Sequence, residues 1–209
     1  MVYDGILIGL VVGFIRAGWK SGLIALSNVR IKGGWVFPLL LILQFVLFYM
    51  QESIPFFAEF NGYFYMVIYV AGLILLTINR KQKGFGLLAI GVLMNFLVMV
   101  FNGGRMPVSL EAASVLKDPA FVEMLKNGDI LYKHVLMDFH TRLAFLGDII
   151  PLGPPYPRRQ AISIGDVIMN IGVFFYLQDL MLSRKQQDKE DRAKEEESKG
   201  EQGLGARAI

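Results

Sequence analysis

Apolar runs, three of the five without any charge, alternate with short charged connectors along most of this chain. The runs are Val2–Ile15, Trp35–Met50, Phe60–Asn79, Gly84–Gly104 and about Ile164–Leu182. They are apolar on every side, as lipid-facing or bundle-buried helices are, and not amphipathic like the helices of a soluble core. A membrane-spanning helix needs about 20 such residues, so the first run is short. Ala17, Gly18 and Trp19 extend it while Arg16 and Lys20 snorkel toward the headgroups. Asp4 stands near the start of this run and Arg16 follows it, the reverse of a secretory signal peptide. The pattern predicts an all-α fold class: an integral membrane bundle of five transmembrane helices with a helical extracytoplasmic cap. The bundle covers 1–182, with the cap at 105–162, and 183–209 is a mobile charged cytoplasmic tail.

Particular positions within the runs carry information. Gly5, Gly9 and Gly13 fall four apart and make one smooth helix face, first a packing groove and second a functional one. Gln44, Asn95 and Asn170 are intramembrane polar residues, expected to find partners on other helices. Tyr63, Phe64, Tyr65 and Tyr69 crowd the first half of their run, as an interfacial aromatic belt does. Ser21–Gly34 reads as a short interfacial segment.

The connectors set the threading. Arg16–Gly34 and Arg80–Lys83 are basic and free of acids, whereas Gln51–Asn61 between them holds Glu52 and Glu59 only. The positive-inside rule puts both basic connectors in the cytoplasm, hence the N-terminus outside and the C-terminus inside. Multi-pass insertion in a bacterial cytoplasmic membrane is the expected location.

The longest connector, 105–159, holds most of the residues suited to chemistry. Ser109 reads as an N-cap, Asp118-Pro119 as N-cap and first helical residue, and Asn127-Gly128 as a helix end. Ser163-Ile-Gly-Asp166 matches a capping box. Arg105 follows Gly103-Gly104 at the membrane boundary, where a charge needs a partner; Asp148 and Asp166 are the expected ones. Arg105, Asp148, Asp166, Asn102 and Arg142 form the candidate binding group. An architectural account competes with it, in which Asp166 caps a helix, Asp148 is a turn residue and Arg105 is an interfacial anchor. His134 and Asp138 share a helix face at i+4, but zinc takes about four ligands, so no metal site is expected. No phosphate loop or nucleophile elbow is present, and the catalytic residues, if any, are unassigned.

Composition adds little to this. Of 209 residues 54% are hydrophobic, the mean hydropathy is +0.47 and the net charge is +3. The basic residues cluster by connector, so they read as topology signals and not as a nucleic-acid footprint. Cysteine is absent, which removes disulfides, thiolate nucleophiles and cysteine-ligated metals.

Three blocks carry a resemblance: Asn102-Gly-Gly-Arg-Met-Pro-Val108, Thr141-Arg-Leu-Ala-Phe-Leu-Gly-Asp-Ile-Ile-Pro151 and Ser163-Ile-Gly-Asp166, after Gly13-Phe-Ile-Arg16-Ala-Gly18. In this order they resemble a family of small bacterial polytopic membrane proteins catalogued only as a domain of unknown function. The likeness covers Val2 to Leu182. It implies a bacterial cytoplasmic membrane protein and supplies no activity. Three functions stay open. The leading one is a non-enzymatic binding or accessory protein holding an anionic lipid, small solute or partner protein near Arg105. A membrane-embedded enzyme acting on a lipid or isoprenoid phosphate is the alternative, and a solute or ion carrier using Gln44, Asn95 and Asn170 is the third. The expected partners are the lipid bilayer and an anionic lipid or membrane protein, with no cofactor and no nucleic acid.

Overall fold

A computed structural model describes residues 2–116, 118–127 and 133–205. The apolar runs form α1 (Tyr3–Ala17), α3 (Val36–Ser53), α4 (Pro55–Ile78), α5 (Phe85–Phe101) and the start of α8 (Ile164–Gly205), with α2 (Trp19–Ser27) where the interfacial segment was expected. The protein is mostly helical. Two helices, over Glu59–Ile78 and Ile164–Asp191, are long and apolar enough to cross a membrane, while Val36–Gln51 and Phe85–Phe101 are shorter apolar helices.

The packing neighbours run in the order α3, α4, α5, α8, α1, with α2 also on α8. Small residues set the closest approaches, since they let backbones meet. On one side of α8, a Cβ at Gly5 would strike the Asn170 carbonyl, one at Gly9 would come within 2.8 Å of Leu177, and one at Gly13 would strike Met181. On the other side, Gly84, just before α5, and Gly91 within it lie against Gly172 and Gly165. Two glycine seams thus hold α8 between α1 and α5.

The cap is not purely helical, as the sequence suggested. Between α5 and α8 lie two short helices, α6 (Leu110–Ser114) and α7 (Pro119–Lys126), and four strands: β1 (Met106–Val108), β2 (His134–Leu136), β3 (Asp148–Leu152) and β4 (Gln160–Ser163). They form one sheet in the order β2-β1-β3-β4, with β1 parallel to β2 and β3, and β3 antiparallel to β4. Strands of three to five residues are too short to print a period-two pattern. Pro107, in the middle of β1, also reads as a strand breaker.

The expected caps are present where they lie in described residues. Ser109 Oγ accepts from Ala112 N at 3.1 Å, and Asp118 Oδ1 accepts from Phe121 N at 3.0 Å. Asn127 ends α7, while Gly128 lies outside the described residues. In the tail, α8 continues without a break to Gly205. Residues 183–199 contain no glycine or proline and are rich in Lys, Arg, Glu and Gln, which favour helix, and Arg184 pairs with Asp188 one turn on at 2.9 Å.

Candidate functional site

The five residues singled out in the sequence divide into two groups. Asn102, Arg105 and Arg142 form the first. Gly103 and Gly104 turn the chain out of α5 with φ of 65° and 80°, values that favour glycine. Gly104 also lies against Gly62 of α4, where an added Cβ would come within 2.9 Å of the facing carbonyl. That approach sets Arg105 beside α4, and its guanidinium donates to the Glu59 carbonyl at 3.2 Å. Arg105 is 9% exposed, and burial pushes its guanidinium down from the ordinary value. No ion pair joins it to Asp148 or Asp166, contrary to expectation. The Asn102 side chain clamps the loop that follows β2: Nδ2 donates to the Arg142 carbonyl at 2.7 Å, and Oδ1 accepts from Arg142 N at 3.0 Å.

The second group holds the two carboxylates and is the more deeply buried. Asp166 opens α8. Its Oδ2 accepts from Ser163 N at 3.1 Å while its own N–H donates to Ser163 Oγ at 3.0 Å, a reciprocal capping box. Asn95 of α5 joins it: Nδ2 donates to Asp166 Oδ1 at 3.1 Å, and Oδ1 accepts from Ser163 Oγ at 2.8 Å. One turn further on, Asn170 Nδ2 donates to the Asp166 carbonyl and Asn170 Oδ1 accepts from Gly5 N at 2.7 Å. The expected polar residues Asn95 and Asn170 therefore link α5, α8 and α1. Gln44 has no hydrogen-bond partner among the described residues, so it is not the interhelical tie the sequence suggested.

Asp148 is the first residue of β3, not a turn residue. It faces Ser163 across the β3–β4 pair and is 2% exposed. His134 Nε2 lies 3.4 Å from its Oδ2. His134 belongs to β2, so it does not share a helix face with Asp138. Asp138 instead pins a tight turn, accepting from His140 N at 2.9 Å and from Thr141 Oγ1 at 3.1 Å. Among the described residues no group of three or more His, Cys, Asp or Glu is placed to hold a metal ion.

Lys133 is the residue that sequence reasoning missed. Its carbonyl accepts from Met106 N at 2.6 Å at the edge of the sheet. Burial alone would lower its ammonium, but Tyr69, Asp148, Asp166 and Tyr65 around it together hold it above the ordinary lysine value. Tyr65, expected in an aromatic belt, is 8% exposed and belongs to this interior, whereas Tyr63 is 60% exposed. Two buried atoms in the cluster have no hydrogen-bond partner among the described residues: Asp148 Oδ1 and His134 Nδ1. Elsewhere the cap is tied to α1 by the Arg158–Asp4 pair at 2.8 Å, with Arg158 over the Tyr3 ring at 5.2 Å.

The molecule is thus a mostly helical bundle with apolar helices of membrane-crossing length, closed at one end by a small sheet over a buried cluster of charges. Residues 28–178 match a family of unknown function, DUF5317, and the chain belongs to that family. It is also similar to an uncharacterized protein of Thermotoga maritima, with 30% identity over 176 residues, covering 84% of this chain and 89% of the relative. No solved structure matches. The family match includes Arg105, Lys133, Asp148, Asp166 and Asn170, and leaves α1 with its glycine face outside.

Proposed function

We propose that this chain is a multi-pass protein of the bacterial cytoplasmic membrane that holds a polar ligand under its cap without transforming it. The N-terminus and cap lie outside, and the C-terminus lies in the cytoplasm. Exposure supports the membrane part. Only 33% of the Glu59–Ile78 window and 39% of the Ile164–Asp191 window is buried within the protein. A core helix of a soluble protein would be buried over most of its length. Leu41, Ile42, Phe45, Val67, Ile74 and Ile90 are large, apolar and at least half exposed, a surface suited to lipid. Threading supports it too. Asn79 Oδ1 accepts from Lys32 N at 2.8 Å, so both basic connectors meet at the end remote from the cap.

One observation carries the binding part: Asp148 Oδ1 and His134 Nδ1 are buried beside charged Lys133 and meet no hydrogen-bond partner among the described residues. A buried polar atom without a hydrogen bond is costly, so such a site favours an occupant that supplies what is lacking. The open carboxylate oxygen asks for a donor, so the ligand is a small solute or headgroup bearing hydroxyl or ammonium groups. An anionic ligand fits less well, because two carboxylates outnumber one ammonium and Arg105 already donates to the Glu59 carbonyl. A carrier needs Asn95 on a wet path, yet Asn95 is 2% exposed and bonded to Ser163 and Asp166. The enzyme reading retains one supporting feature, the buried His134–Asp148 pair, which has the makings of an acid–base couple.

Two measurements test this. Asp148→Asn preserves shape and removes the charge. Native mass spectrometry of protein purified in mild detergent should show a small polar adduct on the wild type and none on the variant; identical spectra sink the binding reading. Because the chain has no cysteine, single cysteines at Phe139 and Arg80 report threading. An impermeant maleimide should reach the first in intact spheroplasts and the second in inverted vesicles only. Labelling of both from one side sinks the multi-pass arrangement.

A further inference from the structure

At the end of the bundle remote from the cap, a cavity of ≈ 460 Å³ lies between the chain after α2 and the middle of α8. Arg30, Gln82, Tyr176, Asp179, Ser183 and Arg184 are among its walls. Two of the acceptors there are already engaged. The Asp179 carboxylate holds Lys83 at 2.7 Å, and the Arg30 carbonyl accepts from Gln82 Nε2 at 2.8 Å. The donors are left over. Arg184 uses one terminal nitrogen on Asp188 at 2.9 Å, but its Nε is buried with no partner among the described residues, and so is the Tyr176 hydroxyl. Arg30 is exposed and makes no ion pair among the described residues. A second cavity of ≈ 860 Å³ shares Arg30 and Gln82 with the first and adds Lys32, Arg80 and Lys81. The region is therefore a hollow with surplus donors in a positive field, and what complements it is a compact anion with several acceptor oxygens.

We propose that this cavity binds a phosphate group, with Arg30 and Arg184 as the charged donors and Tyr176 as the neutral one. Guanidinium suits this because its planar fork matches two phosphate oxygens at once. The two arginines come from separate elements, the chain after α2 and α8, so an anion between them ties those elements together. The phosphate belongs either to a phospholipid headgroup or to a soluble compound, since both present the same oxygens. The site stands on its own geometry and does not depend on the ligand under the cap.

The test uses the full chain in detergent, with native mass spectrometry as the readout and dioleoyl phosphatidylglycerol, dioleoylglycerol and inorganic phosphate as probes. Phosphatidylglycerol should bind the wild type, and Arg30→Gln and Tyr176→Phe should each weaken it ~tenfold, the effect of losing one hydrogen bond to a charged group. Arg30→Gln lies on an exposed connector and Tyr176→Phe removes a single atom, so both report even if Arg184→Gln, which also frees Asp188, misfolds. Displacement of the lipid only by millimolar inorganic phosphate, with dioleoylglycerol not retained, supports a headgroup site. Retention of inorganic phosphate but not phosphatidylglycerol supports a soluble phosphate site. Equal binding to wild type and both variants, or equal retention of dioleoylglycerol, overturns the proposal.

Discussion

Charged side chains gather at both ends of this bundle, under different conditions. At the cap end, Arg105, Asp148 and Asp166 are at least nine-tenths buried, and Asp166 accepts hydrogen bonds from Asn95 and Ser163. At the other end, Arg30, Lys32, Arg80 and Lys81 are exposed and form no ion pairs among the described residues. A buried charge depends on its neighbours, and removing one partner leaves the other uncompensated. An exposed charge is hydrated and interchangeable for stability, so its worth lies in orientation and in attracting anions. The cap end should therefore be sensitive to single changes and the other end tolerant of them.

Asp166→Ala should break the contrast most. It removes the helix cap, strands the Asn95 amide and deprives Lys133 of a carboxylate, for a loss of about 3–5 kcal/mol. Thermal unfolding in detergent measures it, and a small change would mean that the cluster does not hold the cap in place. Lys133→Met should cost about 2 kcal/mol by leaving two carboxylates without their cation. It should also change the response to alkali. A lysine raised in the folded state contributes stability that is complete below its unfolded value, near 10.4. That stability is lost as pH rises through the raised value. Wild-type stability should thus persist from neutrality to about pH 10 and fall beyond it. The methionine variant should lack that component of the alkaline fall.

The remote end should yield smaller effects. Asp179→Asn breaks a pair whose lysine side chain is 75% exposed, so at most about 1 kcal/mol is expected by the same unfolding assay. Replacing Arg80 and Lys81 together by Gln should leave stability within about 0.5 kcal/mol. It should nevertheless scatter the orientation read by maleimide labelling at Phe139, because those charges act during insertion. Unaltered labelling would take the topological role away from them.

What could be read from the chain follows the range of each interaction. The Ser163–Asp166 box was legible because both partners lie within one turn and their residue types name the motif. Gly5, Gly9 and Gly13 were legible as a face because helical spacing fixes it, but not that α8 covers it. Asn95 announced itself as an amide in an apolar run, yet its partners lie 68 and 71 residues away. Arg105 was read as half of an ion pair. Neither Asp148 nor Asp166 is its partner, and one group it does meet, the Glu59 carbonyl, leaves no trace in sequence. Lys133 had no period or motif to mark it. Its neighbours come from α4, β3 and α8, which only the folded chain assembles. The sheet escaped notice because pieces as short as Met106–Val108 need partners before they are strands at all.

One junction has a mechanical meaning. β4 ends at Ser163 and α8 begins at Ile164, so sheet and helix share a peptide bond with no hinge between them. Arg184 lies 21 residues along that rod, about 30 Å away at the ordinary helical rise. Because α1 and α5 lie against that rod through backbone-close glycine contacts, it cannot tilt by itself: any displacement at the strand is passed to both neighbours before it reaches the opposite mouth.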